Sequence, residues 1–267
     1  MCIRDRFNIF GDYFCVFTLD MGICGAGIAT AMGAGISTLV MLTHFFKKSN
    51  TLRLQFSKDI FRLFGRITVN GFSSFIIDVA MGVLTMLFNR QIMKYLGTDA
   101  LAVYGVIVSV STLVQCCSYG IGQASQPIIS QNYGAGNVGR IKKMLRYNII
   151  TAAIFGAVWA AITFAVPNGL IRLFMTPTAS VLAIAPAIIR IYGSSFLLLP
   201  FNVYSTYYFQ ATMRAKTSMF VSVARGILIS GALILIIPVT LGADMIWWAM
   251  PVTELVVAVL ALSLIHI

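Results

Sequence analysis

The chain has 267 residues, 59% of them hydrophobic and only 10% charged, with a formal net charge of +11 and a mean hydropathy of +0.90. So few charges cannot cover a water-soluble fold of this length, and so much apolar surface excludes a disordered chain. The hydrophobic positions come in long runs separated by short polar patches, which predicts an all-α polytopic membrane protein and not a barrel of alternating strands.

In chain order, residues 7–10 read as the end of an earlier helix. A span needs roughly 20 mostly apolar residues. Six stretches qualify, at about 21–46, 67–89, 100–123, 147–167, 182–209 and 215–238, and a shorter one at about 245–261 makes about seven transmembrane helices. In the first, Gly25, Ala29, Gly33 and Ser37 form a ladder of small residues that allows close approach of a neighbouring backbone. Turn chemistry separates the spans: Gly97-Thr98-Asp99, Asn132-Tyr133-Gly134, Pro167-Asn168-Gly169, Thr176-Pro177 and Gly242-Ala243-Asp244.

Alternate loops differ in charge. One set carries Lys47, Lys48, Arg53, Lys58, Arg62, Arg66, then Arg140, Lys142, Lys143, Arg146, then Arg214 and Lys216. The other carries Arg90, Lys94 and Arg172, together with Asp12, Asp20, Asp99 and Asp244. A bias of twelve bases against three places loops 47–66, 131–146 and 210–216 on the cytoplasmic side, and it accounts for the high pI without a nucleic-acid partner. Trp247 and Trp248 stand where an outer interfacial belt is expected. Gly134-Ala135-Gly136-Asn137-Val138-Gly139 matches a dinucleotide fingerprint, but that motif needs a preceding strand and an acid about 20 residues on. No Asp or Glu lies between Asp99 and Asp244, so the match is a loop between helices.

Charges inside spans are costly and are functional candidates by default. Four are present: Asp78, Arg190, Arg225 and Glu254. Arg225 and Glu254 fall at similar depth on successive antiparallel spans, within roughly 5 Å, and are expected to form a buried structural pair. Around Asp78, the residues Asn70, Ser74, Thr85 and Asn89 give one helix a polar stripe from end to end. Such a face turns to a bundle interior or an aqueous cavity. Thr112, Gln115, Tyr119, Gln123 and Gln126 do the same on the next span, and Ser195, Asn202, Thr206 and Phe209 on a later one, with Tyr204, Tyr207 and Tyr208 nearby.

A desolvated carboxylate is easier to protonate, and it can instead coordinate Na⁺ or attract an organic cation that tyrosine faces also hold. Asp78, Asn70, Ser74, Asn202 and Thr206 are therefore the candidates for ion coupling or substrate binding. Gln115, Tyr119, Gln123, Tyr204, Tyr207 and Phe209 are the candidates for the cavity wall. A salt bridge from Asp78 to Arg190 or Arg225 is the alternative for that carboxylate.

Met1-Cys2-Ile3-Arg4-Asp5-Arg6 can be encoded by a sequence beginning ATGTGTATAAGAGACAG, and Leu262-Ser263-Leu264-Ile265-His266-Ile267 by one beginning with its reverse complement. A transposon-type sequencing adapter read in opposite directions yields this pair, so 1–6 and 262–267 are expected to be adapter scars and the chain an internal fragment. With these set aside, His44 is the one histidine, and Cys15, Cys24, Cys116 and Cys117 have no metal or redox spacing. Neither a metal site nor a Ser/His or His/Glu catalytic set is readable, so no enzyme is expected.

Met21-Gly22-Ile23-Cys24-Gly25-Ala26-Gly27-Ile28-Ala29-Thr30 resembles the sixth helix of the multidrug and toxic compound extrusion (MATE) transporters, typically G-I-x-G-A-A-x-A-T. The run from Gly122-Gln123-Ala124-Ser125-Gln126-Pro127 to Asn132-Tyr133-Gly134-Ala135-Gly136-Asn137 is similar to the family's loop after the eighth helix. Together with Phe201-Asn202 and Met250-Pro251-Val252-Thr253-Glu254, it resembles the branch of bacterial MepA-like pumps.

The resemblance covers residues 7–261 and implies a fold of twelve helices in two six-helix lobes. By it, 7–46 ends an N-terminal lobe (end of helix five, helix six), 47–66 is a basic cytoplasmic linker, and 67–261 is the C-terminal lobe of helices seven to twelve. It further implies an antiporter of the bacterial cytoplasmic membrane, monomeric at full length. Such an antiporter exports small organic cations and drugs by alternating access, with Na⁺ or H⁺ as coupling ion and no other cofactor. Asp78 matches a seventh-helix carboxylate that couples cations in some members. Where those members carry a second acid in the tenth helix, this chain has Asn202 or Val203, which weighs against two-carboxylate Na⁺ coordination. Gly71 and Pro200 are candidate bends. A lipid-linked oligosaccharide flippase of the same superfamily, or a non-transporting scaffold, is the alternative. The former tends to carry several cavity cations, where this chain has only Arg190 and Arg225 within its spans.

Overall fold

The structure, a computed structural model, describes residues 9–43 and 60–266, with the backbone alone for 60–63, 66–67, 69–74, 76–78 and 266. His44 and most of the basic segment 47–66 lie outside the described residues. Two units divide the chain, Met1–Phe61 and Arg62–Ile267, and the described residues are helical with no strand.

In the first unit, α1 (Ile9–Thr18) ends in a π turn over Phe14–Thr18 and is followed by α2 (Gly22–Leu42). The buried residues of α2 are Gly25, Ala29 and Gly33, three rungs of the small-residue ladder. The reason is close approach: a Cβ on Gly25 would lie 2.8 Å from the Cys15 carbonyl oxygen.

The second unit begins with α3 (Ile60–Tyr95) and α4 (Gly97–Gly134), whose tight junction uses Gly97 at φ 83°, a conformation open to glycine. Next come α5 (Val138–Ala165), the short α6 (Pro167–Phe174) and α7 (Ala179–Gly193). A 3₁₀ turn at Ser194–Leu197 leads into α8 (Leu199–Ala211). After α9 (Ala215–Val223) a π turn at Ala224–Ile229 leads into α10 (Ser230–Thr240). A 3₁₀ turn at Ala243–Trp248 precedes α11 (Ala249–His266), which stays helical through 262–266.

Each expected span has its helix, and six helical stretches among the described residues are long and apolar enough to cross a membrane, with α3 a further helix of 36 residues. The chain is a multi-pass membrane protein. Several helices outrun the apolar stretches. At 1.5 Å per residue the 38 residues of α4 reach about 57 Å, well past a hydrocarbon layer of about 30 Å. The expected loop after residue 123 is therefore helix as far as Gly134, with Pro127 inside it, and the loop proper shrinks to 135–137. Helix α5 likewise begins in the basic patch, nine residues before the expected span.

The core of the second unit is aromatic. Phe88 stacks on Tyr104 with ring centroids 5.0 Å apart, Tyr192 meets both edge-on, and Trp247 approaches Tyr104 at 6.4 Å. Trp247 is 2% exposed, so it belongs to this core and not to an interfacial belt, while Trp248 is exposed. Arg190 serves helix α5: its Nε donates to the Phe164 carbonyl, 3.2 Å away, at the helix end where backbone acceptors lack partners.

Candidate functional site: a cleft at the interrupted helices

Two helix interruptions set the site. Pro200 has no N–H and stands in the first turn of α8, immediately after the 3₁₀ turn. In the other, the π turn widens the helix at Arg225, and the Ser230 hydroxyl donates to the Arg225 carbonyl. Ser218, Ser222 and Arg225 share a face by their spacing, and the Ser218 hydroxyl crosses to the Thr206 carbonyl of α8 at 3.3 Å.

Glu254 of α11 joins both interruptions. The Arg225 Nε and Nη2 donate to its Oε1 at 2.9 and 2.7 Å. Asn202 Nδ2 donates to its Oε2 at 2.6 Å and to its backbone carbonyl at 2.8 Å. The Glu254 side chain is fully buried, whereas that of Arg225 keeps 14% of its surface exposed. A fully buried carboxylate needs such compensation, because desolvation costs several kcal/mol per ion. Asn202 Oδ1 is buried without a hydrogen-bond partner among the described residues.

Beside this junction lies an open cleft, about 490 Å³ of empty space when the solvent at its mouth is included. Its described walls are Ala80 and Met81 of α3, Tyr119 of α4, Val203, Thr206 and Tyr207 of α8, Ser222 of α9, Arg225 and Gly226 of the π turn, and Met250 of α11. Tyr119 and Tyr207 meet edge to face at 6.2 Å. Tyr207 can lie against α4 because residue 122 is glycine: a Cβ there would fall 2.3 Å from the ring.

Of the residues expected from sequence, Tyr119, Tyr207 and Thr206 line the cleft. Gln123 lies beside it, its amide 3.5 Å from the Tyr207 hydroxyl. Gln115 is 7% exposed and turns its amide to Met81 Sδ at 3.4 Å, so it braces the cleft from behind. Two expectations need correction. Tyr204 is 0% exposed and packs with Ile129, Ile141 and Ala211, and Phe209, also 0%, packs with Val221 and Val257. Both are core residues among the described residues, and neither lines this cleft.

Asn202 is bound to Glu254. Asp78, Asn70 and Ser74 lie on α3, but their side chains are outside the described set. Ala80, Met81, Ser222, Gly226 and Met250 escaped the sequence reading; the helical spacing of Ser218, Ser222 and Arg225 was the one signal present. Arg225, expected in a structural pair with Glu254, also lines the cleft.

Membrane-length helices folded around a cleft, with a buried ion pair between the π turn and α11, make this a multi-pass helical bundle. The chain belongs to the MatE family, whose model matches residues 72–237. It is 24% identical over 262 residues to the multidrug export protein MepA of Staphylococcus saprophyticus and 24% identical over 261 residues to that of Staphylococcus haemolyticus. Each match covers 97% of this chain but 57% of the relative, so the chain spans little more than half the relatives' length.

Among solved structures, an outward-facing multidrug resistance MATE family transporter of the MOP superfamily matches with a TM-score of 0.87 at 21% identity, over 98% of this chain and 59% of that one. A MOP superfamily transporter from Pyrococcus furiosus, described by a binding pocket of reverse polarity, matches at 0.86 and 18% identity, over 97% and 59%. These likenesses establish the fold.

Proposed function

We propose that this chain is the C-terminal part of a secondary active antiporter that exports organic cations and other drugs across the bacterial cytoplasmic membrane. Alternating access is driven by Na⁺ or H⁺, with the basic loops inside and the full-length protein a monomer. The carrying observation is the cleft itself: an intramembrane space bounded by two tyrosines and two hydroxyl-bearing residues, at the interrupted helices of a MatE-family chain. Tyrosine faces attract organic cations. Asp78 stands one helical turn before Met81, which lines the cleft, and we assign it the coupling or substrate-binding carboxylate. Ion binding there drives transport only through unequal affinity for the two access states, and bending near Pro200 contributes to the change between them.

Accumulation of a fluorescent organic cation in pump-deficient bacteria tests this, comparing the full-length protein with Asp78→Asn at matched expression. Lowered accumulation with the unmodified protein but not the variant supports export coupled through Asp78. Equal export by both removes Asp78 from coupling. No export by either removes the cation reading and brings forward the second one, a lipid-linked oligosaccharide flippase. The exposure of the Arg225 guanidinium favours that reading, since such cations grip phosphates.

A further inference from the structure

The ion pair beside the cleft is not symmetrical toward it. Arg225 lines the cleft and Glu254 does not. The carboxylate is fully buried behind the guanidinium, which keeps 14% of its surface open. The pair is thus a dipole with its positive end toward the cleft and its negative end toward the core.

Donor capacity points the same way. A guanidinium has five N–H donors, and the contacts to Glu254 engage Nε and Nη2 on a single oxygen. The hydroxyls of Thr206 and Ser222, also in the wall, direct their hydrogens to the carbonyls of Asn202 and Ser218. Among the described walls, Arg225 is therefore the charged group and the strongest donor, set among Met81, Met250, Tyr119 and Tyr207. A planar guanidinium in an apolar, aromatic surrounding complements an amphiphile with an anionic group: charge-assisted, bidentate hydrogen bonds at one end and ring and thioether contacts along the body.

We propose that the cleft binds amphiphiles through a carboxylate, phosphate or sulfonate seated on Arg225. This rests on reading the cleft as a ligand site, and it adds a seat for an anionic group at Arg225 to the cation attraction assigned above to the tyrosines and Asp78. Glu254 competes with the ligand for the guanidinium, so it sets the affinity while Arg225 sets the selectivity.

Matched probes test it: dansylglycine and its uncharged methyl ester, binding to the full-length protein in phosphatidylcholine nanodiscs. The carboxylate is expected to bind about tenfold more tightly than the ester. Glu254→Gln, which keeps the guanidinium and removes its competitor, widens the preference. Removing both charges together with Arg225→Met and Glu254→Gln abolishes it without leaving a buried charge unpaired. Equal binding of the two probes to the unmodified protein, or a preference that survives the double substitution, overturns the proposal.

Adding phosphatidylglycerol identifies the source of the anion. Weaker dansylglycine binding to the unmodified protein, but not to the double variant, supports a lipid headgroup as the competing occupant; unchanged affinity supports a free organic anion. If cation export fails while the probe preference holds, only the cation-pump reading falls. If export holds without the preference, only this inference does.

Discussion

Helices α4 and α5 run unbroken, while α7–α8 and α9–α10 are each interrupted, and their polar side chains behave differently. On the unbroken pair, hydroxyls mostly return to their own helix: Thr112 to the Val108 carbonyl, Ser118 to Val114, Thr151 to Tyr147. Such side chains are satisfied locally and leave the packing to apolar neighbours. At the interruptions most hydroxyls do the same, Thr206 to the Asn202 carbonyl and Ser222 to Ser218, but an amide, a guanidinium and one hydroxyl cross between helices. Asn202 and Arg225 both reach Glu254, and Ser218 reaches the Thr206 carbonyl. A broken helix frees backbone and widens space, and buried polar groups there must find partners elsewhere. The cleft lies where these crossing bonds gather.

The sharpest way to break this contrast is to unpair the junction. Glu254→Ala leaves Arg225 as a largely buried cation and is expected to cost about 3–5 kcal/mol, read as thermal unfolding of the full-length protein in detergent. A loss below about 1 kcal/mol would mean that the pair is solvated. Gly156→Ala comes next. Its Cβ would stand 2.6 Å from the Leu197 carbonyl oxygen and 2.9 Å from that of Phe196, both backbone atoms of the 3₁₀ turn. Backbone cannot swing aside, so a loss of about 1–3 kcal/mol is expected.

Asn202→Ala removes two donors from Glu254 and should cost about 1–2 kcal/mol, and the same assay on the Arg225→Met, Glu254→Gln background should show a smaller loss. Ser118→Ala on unbroken α4 deletes only a local bond and should change stability by under about 0.5 kcal/mol. If Ser118→Ala matched Asn202→Ala in this assay, the contrast between the two regions would fail.

Six of the expected spans were legible because a lipid-facing helix must be apolar for its whole depth. Their ends were not, because α4 and α5 continue into polar and basic residues that hydropathy reads as loop. Within the site, Arg225 and Glu254 were legible from depth alone, since two opposite charges on successive spans have few other partners. The bond from Asn202 to Glu254 was not legible, because the rotation that turns Asn202 toward Glu254 follows the 3₁₀ turn at 194–197, which no spacing rule predicts. Tyr204 and Tyr207 are three residues apart and look alike in sequence, yet one is core and the other wall. Gly122 decides between them by making room for the Tyr207 ring.

That the cleft at the interrupted helices is the ligand path is tested most directly by thiol protection. In a full-length protein whose cysteines are replaced by alanine, Tyr207→Cys in the cleft wall and Ser118→Cys, at the fully buried Ser118 of α4, would each be exposed to a small hydrophilic thiol reagent. The predicted result is labelling at 207, slowed by a saturating transported compound, with no labelling at 118. Labelling at 207 that no transported compound slows, or none at all, would contradict it.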